Sequence, residues 1–150
     1  MTQPRYSSST AVAGIDGCGD LAEQGLGVYV HRVAAAAGVG PEATCWELAD
    51  REATAYVALD GSPAGFPGRD AALLWDDVRG WAVVLEAGSD ADPLILAYLG
   101  GTDPLPPPET VAGFAKQVLS GGHPPPGRTR PPRHHRRDLR ARLRGFLPAR

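Results

Sequence analysis

The apolar positions of this 150-residue chain change period twice. Leu26, Tyr29, Val30, Val33 and Ala37 recur at i, i+3, i+4, i+7 and i+11, one stripe of an amphipathic helix. Asp20 can cap its start, Gly38 suits the left-handed residue after its last turn, and Pro41 prevents continuation. Gly25 and Gly27 weaken the first turns by about 1 kcal/mol each relative to Ala. From Thr44 the period falls to two: residues 44–49 alternate, with Trp46 and Leu48 on one face. Residues 53–59, 71–75, 81–86 and 94–99 predict four further strands. The turns between them are 50–52, a long loop 60–70, a tight 76–80 connection with Gly80 free to take positive φ, and an acidic 88–92 turn. Strands joined so closely make an antiparallel meander, because parallel neighbours need crossovers of a dozen residues. Pro106–Pro108 then open a second helix, striped by Val111, Phe114, Ala115, Val118 and Leu119 and ended by Gly121-Gly122. The expected fold is α+β: a five-stranded antiparallel meander flanked by an N-terminal and a C-terminal helix, in the order α-β-β-β-β-β-α.

Residues 1–19 and 120–135 carry no such period. Residues 1–19 are Ser/Thr- and Gly-rich and read as a flexible arm; their Gly14–Gly19 stretch follows no strand and matches no phosphate-loop spacing. Residues 120–150 are rich in Arg and Pro and predict a mostly disordered tail, with a short basic helix over 136–147 that sets Leu139, Leu143 and Leu147 on one side.

Composition sharpens that division. Gly (19) and Pro (15) are in excess, concentrated in loops and tail. Residues 1–119 carry five Arg and one Lys against 16 Asp or Glu, a net −10; residues 120–150 carry nine Arg and one Asp, a net +8. A basic tail of this kind attracts polyanions or the acidic body itself. Cys18 and Cys45 are too few for a disulfide framework, and no apolar run approaches the length of a membrane span. The expectation is a cytoplasmic protein with free thiols and no integral membrane segment, Cys45 being a small core residue.

A set of landmarks is familiar. Pro67-Gly68-Arg69-Asp70 precedes a strand ending Leu74-Trp75-Asp76; Gly80-Trp81 opens another ending at Glu86; Pro93, Leu96–Gly100 and Leu105-Pro106-Pro107-Pro108-Glu109 follow. Over about residues 22–119 the chain resembles a family of small actinobacterial proteins known as a domain of unknown function, number 6292. The resemblance implies a shared fold and no assigned activity, so it transfers no functional residues. The arginine-rich tail lies outside it.

Candidate chemistry is sparse. The 60–70 loop is the best binding surface, being long for a strand connection. There Arg69 can pair with an anionic ligand while Phe66 packs on it, or Arg69 and Asp70 pair with each other or a neighbour and Phe66 folds back on the core. Asp76 and Asp77 suit a turn, and no fixed spacing joins them with Glu86 into an acid/base or metal site. Trp75 and Trp81 flank one hairpin and predict a cross-strand pair, with Trp46 part of a structural aromatic cluster. His31 falls off the helix stripe; His123, His134 and His135 sit in the tail without a completing ligand. No catalytic residue, metal or cofactor is expected. The tail has three readings: polyanion binding through Arg128, Arg130, Arg133, Arg136, Arg137 and Arg140, docking on the acidic body or an anionic membrane surface, or a by-product of translating GC-rich sequence. The first expectation for function is a non-enzymatic binding or accessory module that contacts a protein partner. The alternative is a nucleic-acid-associated protein acting through its tail; an enzyme with a site assembled from scattered residues ranks third.

Overall fold

A computed structural model describes residues 21–50, 52–86, 92–101, 103–121 and 139–148. The N-terminal arm, the Asp20 cap, Cys18, the three tail histidines, most of the 88–92 turn, and Arg128, Arg130, Arg133, Arg136 and Arg137 lie outside the described residues. Helix α1 spans Leu21–Ala36, and a 3-10 turn, Pro41–Ala43, leads into the sheet. The strands are β1 (Thr44–Leu48), β2 (Ala53–Ala58), β3 (Ala71–Asp76), β4 (Gly80–Leu85) and β5 (Leu94–Tyr98). Helix α2 covers Pro108–Leu119, and a short helix α3 covers Leu139–Arg144. The sheet order is β1-β2-β3-β4-β5, every neighbour antiparallel, so the meander read from the sequence is the observed fold.

The stripe positions of α1 do what their spacing predicts: Leu26, Tyr29, Val30 and Val33 are buried, while Ala37 is only half-buried. They meet Ala53, Ala55 and Val57 of β2, Leu73 and Trp75 of β3, and Trp81 and Val83 of β4 in one core. Val111, Phe114 and Ala115 of α2 complete it from the same side of the sheet. Trp75 and Trp81 are register partners, with ring centroids 6.4 Å apart. In the hairpin between them the Asp76 carboxylate accepts from the amides of Val78 (2.8 Å) and Arg79 (2.6 Å), and Gly80 takes φ 76°, a left-handed conformation that a side chain would strain.

The core continues past residue 119. Leu139 and Leu143 of α3 are buried in it, and Phe146 stacks on Tyr29 with centroids 5.0 Å apart. A Cβ built on Gly25 would overlap the Leu143 carbonyl, so glycine there lets α3 approach the α1 backbone. Gly27 likewise faces Trp46, whose Cζ2 would lie 2.5 Å from an added Cβ. The two glycines that weaken α1 as an isolated helix are its contact points in the fold.

Between β5 and α2, residues 99–101 and 103–107 are described, and Leu99 and Leu105 among them belong to the core. Three side chains hold this connection. Trp75 Nε1 donates to the Pro104 carbonyl (2.8 Å), Tyr29 Oη to the Pro106 carbonyl (2.6 Å), and Arg142 Nη1 to Asp103 Oδ1 (2.6 Å).

Candidate functional site

In a two-layer fold, strands with one wet face alternate apolar and polar residues. Strands β3 (AALLWD) and β4 (GWAVVL) do not: they are apolar on both faces. Their odd-numbered residues, Leu73, Trp75, Trp81 and Val83, point into the helix-covered core. Their even-numbered residues Ala72, Ala82 and Val84 form a second buried cluster with Tyr98 of β5, against which the half-buried Tyr56 and Leu74 pack. That cluster contains strand residues alone; among the described residues no helix contributes to it.

The register aligns this second face into rows. Cys45, Tyr56, Leu74, Ala82 and Tyr98 are successive cross-strand partners from β1 to β5. The next row is Ala58, Ala72, Val84 and Ile95. Ile95 and its neighbour Leu94 are 43% and 54% exposed, among the few large apolar side chains left open to solvent. A third row, on the other side, is Glu47, Thr54 and Asp76. Cys45 therefore does not join the core expected for it. It sits half-buried on the second face because its neighbour Trp46 takes the core side, and burial pushes its thiol pKa up.

Tyr56 fixes the geometry of this face. Its hydroxyl donates to Glu86 Oε2 at 2.6 Å, which draws the side chain from β2 toward the end of β4. Burial first, then the hydrogen bond to Glu86, raise its phenol pKa above the ordinary range. Glu86 is held in turn: its amide donates to the Asp70 carbonyl (2.8 Å), and Arg69 Nη2 donates to its carbonyl (3.2 Å). The structure thus brings Arg69 and Asp70 together with Glu86 at the border of the second face. Phe66 is half-buried in the preceding turns, where its amide donates to the Pro63 carbonyl and its carbonyl accepts from Arg69. The 60–70 loop is tied down at its middle by the Ala64 amide, which donates to the Leu119 carbonyl of α2 (2.7 Å). Of the arginines read as polyanion contacts, only Arg140 is described; it lies on α3, half-buried.

Asp76 pairs with Arg79 (2.9 Å) and Asp77 is buried beneath the hairpin, so these two acids and Glu86 occupy separate structural positions. Among the described residues no three His, Cys, Asp or Glu side chains gather closely enough to hold a metal ion, and no helix is long and apolar enough to cross a membrane. A cleft of about 530 Å³ opens where the C-terminal ends of α1 and α2 meet the 60–70 loop; Leu59, Ala115 and Leu119 line it with Asp60, Ser62 and Lys116.

Sequence reasoning centred on the 60–70 loop and passed over Tyr56, Leu74 and Tyr98. The signal for them was present in the unbroken apolar runs of β3 and β4, which mark a sheet with two faces to cover. No curated protein and no solved structure matches the chain. The model of one family matches residues 29–117, from the middle of α1 almost to the end of α2, and by that match the chain belongs to the family of unknown function DUF6292.

Proposed function

We propose that this protein is a non-enzymatic binding module that docks a protein partner on the second face of its sheet, with the 60–70 loop at the border of the contact. One observation carries the reading: β3 and β4 are apolar on both faces, yet α1 and α2 pack on one face only. A two-faced apolar sheet is the pattern of strands covered on both sides. The free thiol of Cys45 and the absence of any membrane-length helix among the described residues agree with action in the cytoplasm.

The test is capture of interacting proteins by the full chain and by Leu74→Asp, with circular dichroism and melting as folding controls. Leu74 is half-buried at the middle of the face, so the variant keeps the core and puts a charge into the contact. The expected result is a partner retained by the parent and lost by the variant. Equal capture by both would end the reading.

A second reading, polyanion binding through the tail, draws support from the way α3 docks. It buries Leu139 and Leu143 and leaves Arg144 exposed. Replacing Arg128, Arg130, Arg133, Arg136 and Arg137 with Gln, while keeping α3, should then abolish salt-sensitive binding to DNA or RNA. Unchanged binding would exclude the tail as its source.

A further inference from the structure

Helices α1 and α2 both end at the cleft beside the 60–70 loop, and they end differently. Helix α2 closes with every acceptor of its last turn answered. The Lys116 carbonyl accepts from the Ser120 amide (3.0 Å), Gln117 from the Ser120 hydroxyl (3.0 Å), Val118 from the Gly121 amide (3.1 Å) and Leu119 from the Ala64 amide (2.7 Å). Lys116 itself adds a cation in that last turn, where the helix dipole favours one.

Helix α1 closes less completely. The amides of Val39 and Gly38 donate to the Ala34 and Ala35 carbonyls (2.9 and 3.1 Å), the paired bonds of a left-handed closure, with Gly38 at φ 85°. Among the described residues the Ala36 and Ala37 carbonyls accept from no donor, and the last turn of α1 holds no basic residue. The negative end of this helix stays uncompensated. Ala36, Ala37 and Gly38 line the cleft, and so does Asp60. Asp60 is exposed and enters no ion pair among the described residues. Open acceptors and a carboxylate thus share one cavity.

The rest of the lining supplies an apolar floor of Leu59, Ala115 and Leu119. Its volume of about 530 Å³ lies within the range of small-molecule sites, about 300–1,000 Å³. Lys116 is the one basic residue of the lining, and it stands on the helix whose end is already answered.

We infer that the cleft binds a small primary amine, its apolar body on Leu59, Ala115 and Leu119 and its ammonium on Asp60 and the open carbonyls of α1. A primary ammonium carries three N–H donors, so it can answer a carboxylate and carbonyls together. A quaternary ammonium matches the charge but lacks the donors. A carboxylate would meet Lys116 alone, against the negative end of α1. The site lies on the helix side of the sheet and goes beyond the docking reading, which it neither needs nor supports.

The experiment uses the full chain, isotope-labelled for NMR, at neutral pH, where a primary amine is protonated. Hexylammonium should shift the amide resonances of Ala37, Gly38, Asp60 and Ala115 in a saturable titration. Hexyltrimethylammonium, hexanol and hexanoate should each bind there at least about tenfold more weakly. The Kd of hexylammonium should rise about threefold or more in Asp60→Asn, which alters an exposed position. An equal Kd for hexyltrimethylammonium would mean that charge alone acts, and an equal Kd for hexanol that the floor alone acts; either overturns the inference. Tighter binding of hexanoate would hand the cleft to Lys116 and overturn it too, as would an unchanged Kd in Asp60→Asn. If none of the four probes perturbs these residues, the inference falls while docking on the second face stands.

Discussion

Tyr29 shows how much of this fold depends on single polar atoms inside the core. Its hydroxyl is buried, donates to the Pro106 carbonyl and accepts from Trp81 Nε1 at 3.1 Å. Tyr29→Phe keeps the ring and its contacts with Trp81 and Phe146 but leaves a buried carbonyl and a buried indole N–H without their partner. Each such group costs about 1–3 kcal/mol, so a loss of roughly 2–4 kcal/mol is expected from urea unfolding, with the melting temperature falling accordingly. A loss below the cost of one such group would mean that the segment before α2 re-forms its bonds elsewhere. Tyr29 and Tyr56 also set a pH limit. Burial raises the pKa of both phenols above the unfolded value near 10. The sign follows from linkage: below about pH 10 both states carry neutral phenols and stability is flat, and above it the unfolded state loses protons first and gains. Stability should therefore decline as pH climbs past about 10, with phenolate absorbance from these two residues appearing together with unfolding. Ionisation of all tyrosines at the ordinary value, with no loss of melting temperature, would contradict this.

At the level of elements, the sharpest contrast is between two glycines in helices. Gly25 of α1 lies under the Leu143 carbonyl of α3, whereas Gly113 of α2 is exposed with open space around it. Both substitutions by Ala gain helix propensity of about 1 kcal/mol. For Gly113→Ala that gain stands alone, and a stabilisation of about 0.5–1 kcal/mol is expected. For Gly25→Ala the methyl must displace the α3 backbone, so the overlap cost of about 1–3 kcal/mol and the lost burial of Leu143 outweigh it. Opposite signs of the shift in urea midpoint test the contact; stabilisation by both would show that α3 does not need the glycine. This pair also marks the limit of what the sequence made legible. Strand bounds, the meander, the Gly80 turn and the Trp75–Trp81 pair all follow from period and local turn chemistry, because the forces that set them act between near neighbours. The seating of α3 on α1 joins residues more than a hundred positions apart, and no local pattern encodes it; glycines at 25 and 27 read as helix weakness until their neighbours are known. The side of the sheet taken by Cys45 is a different case. The 44–49 alternation contained that information once Trp46 was placed inward, and free cysteine's general preference for burial pointed the other way. At the candidate site, Arg69 and Asp70 were visible as charged residues at a strand start, but their meeting with Glu86 and Tyr56 depends on the β2–β3–β4 register.

The whole molecule poses the question of what holds its oppositely charged parts together. An acidic segment of −10 and a basic one of +8 invite an electrostatic answer. The contact itself argues otherwise. The described ion pair between the two parts, Arg142–Asp103, has side chains 44% and 47% exposed, and such pairs contribute about 0–1 kcal/mol. Against it stand Leu139 and Leu143, buried in the common core, and Phe146, whose ring meets Tyr29 and lies under the Arg32 guanidinium, 5.7 Å from its centroid. Burial of a leucine is worth about 1.5–3 kcal/mol, so two leucines outweigh the ion pair several-fold. Raising NaCl from about 0.05 M to about 1 M shortens the screening length to about 3 Å and removes the charge term. Apolar burial survives that change. Hydrogen exchange of the Leu143 amide should accordingly stay protected across the salt range, while Leu143→Ala, at a cost of about 2–5 kcal/mol, should expose it at any salt. Release of α3 by salt alone would instead make charge the holding force, and would turn its docking into a property of ionic strength.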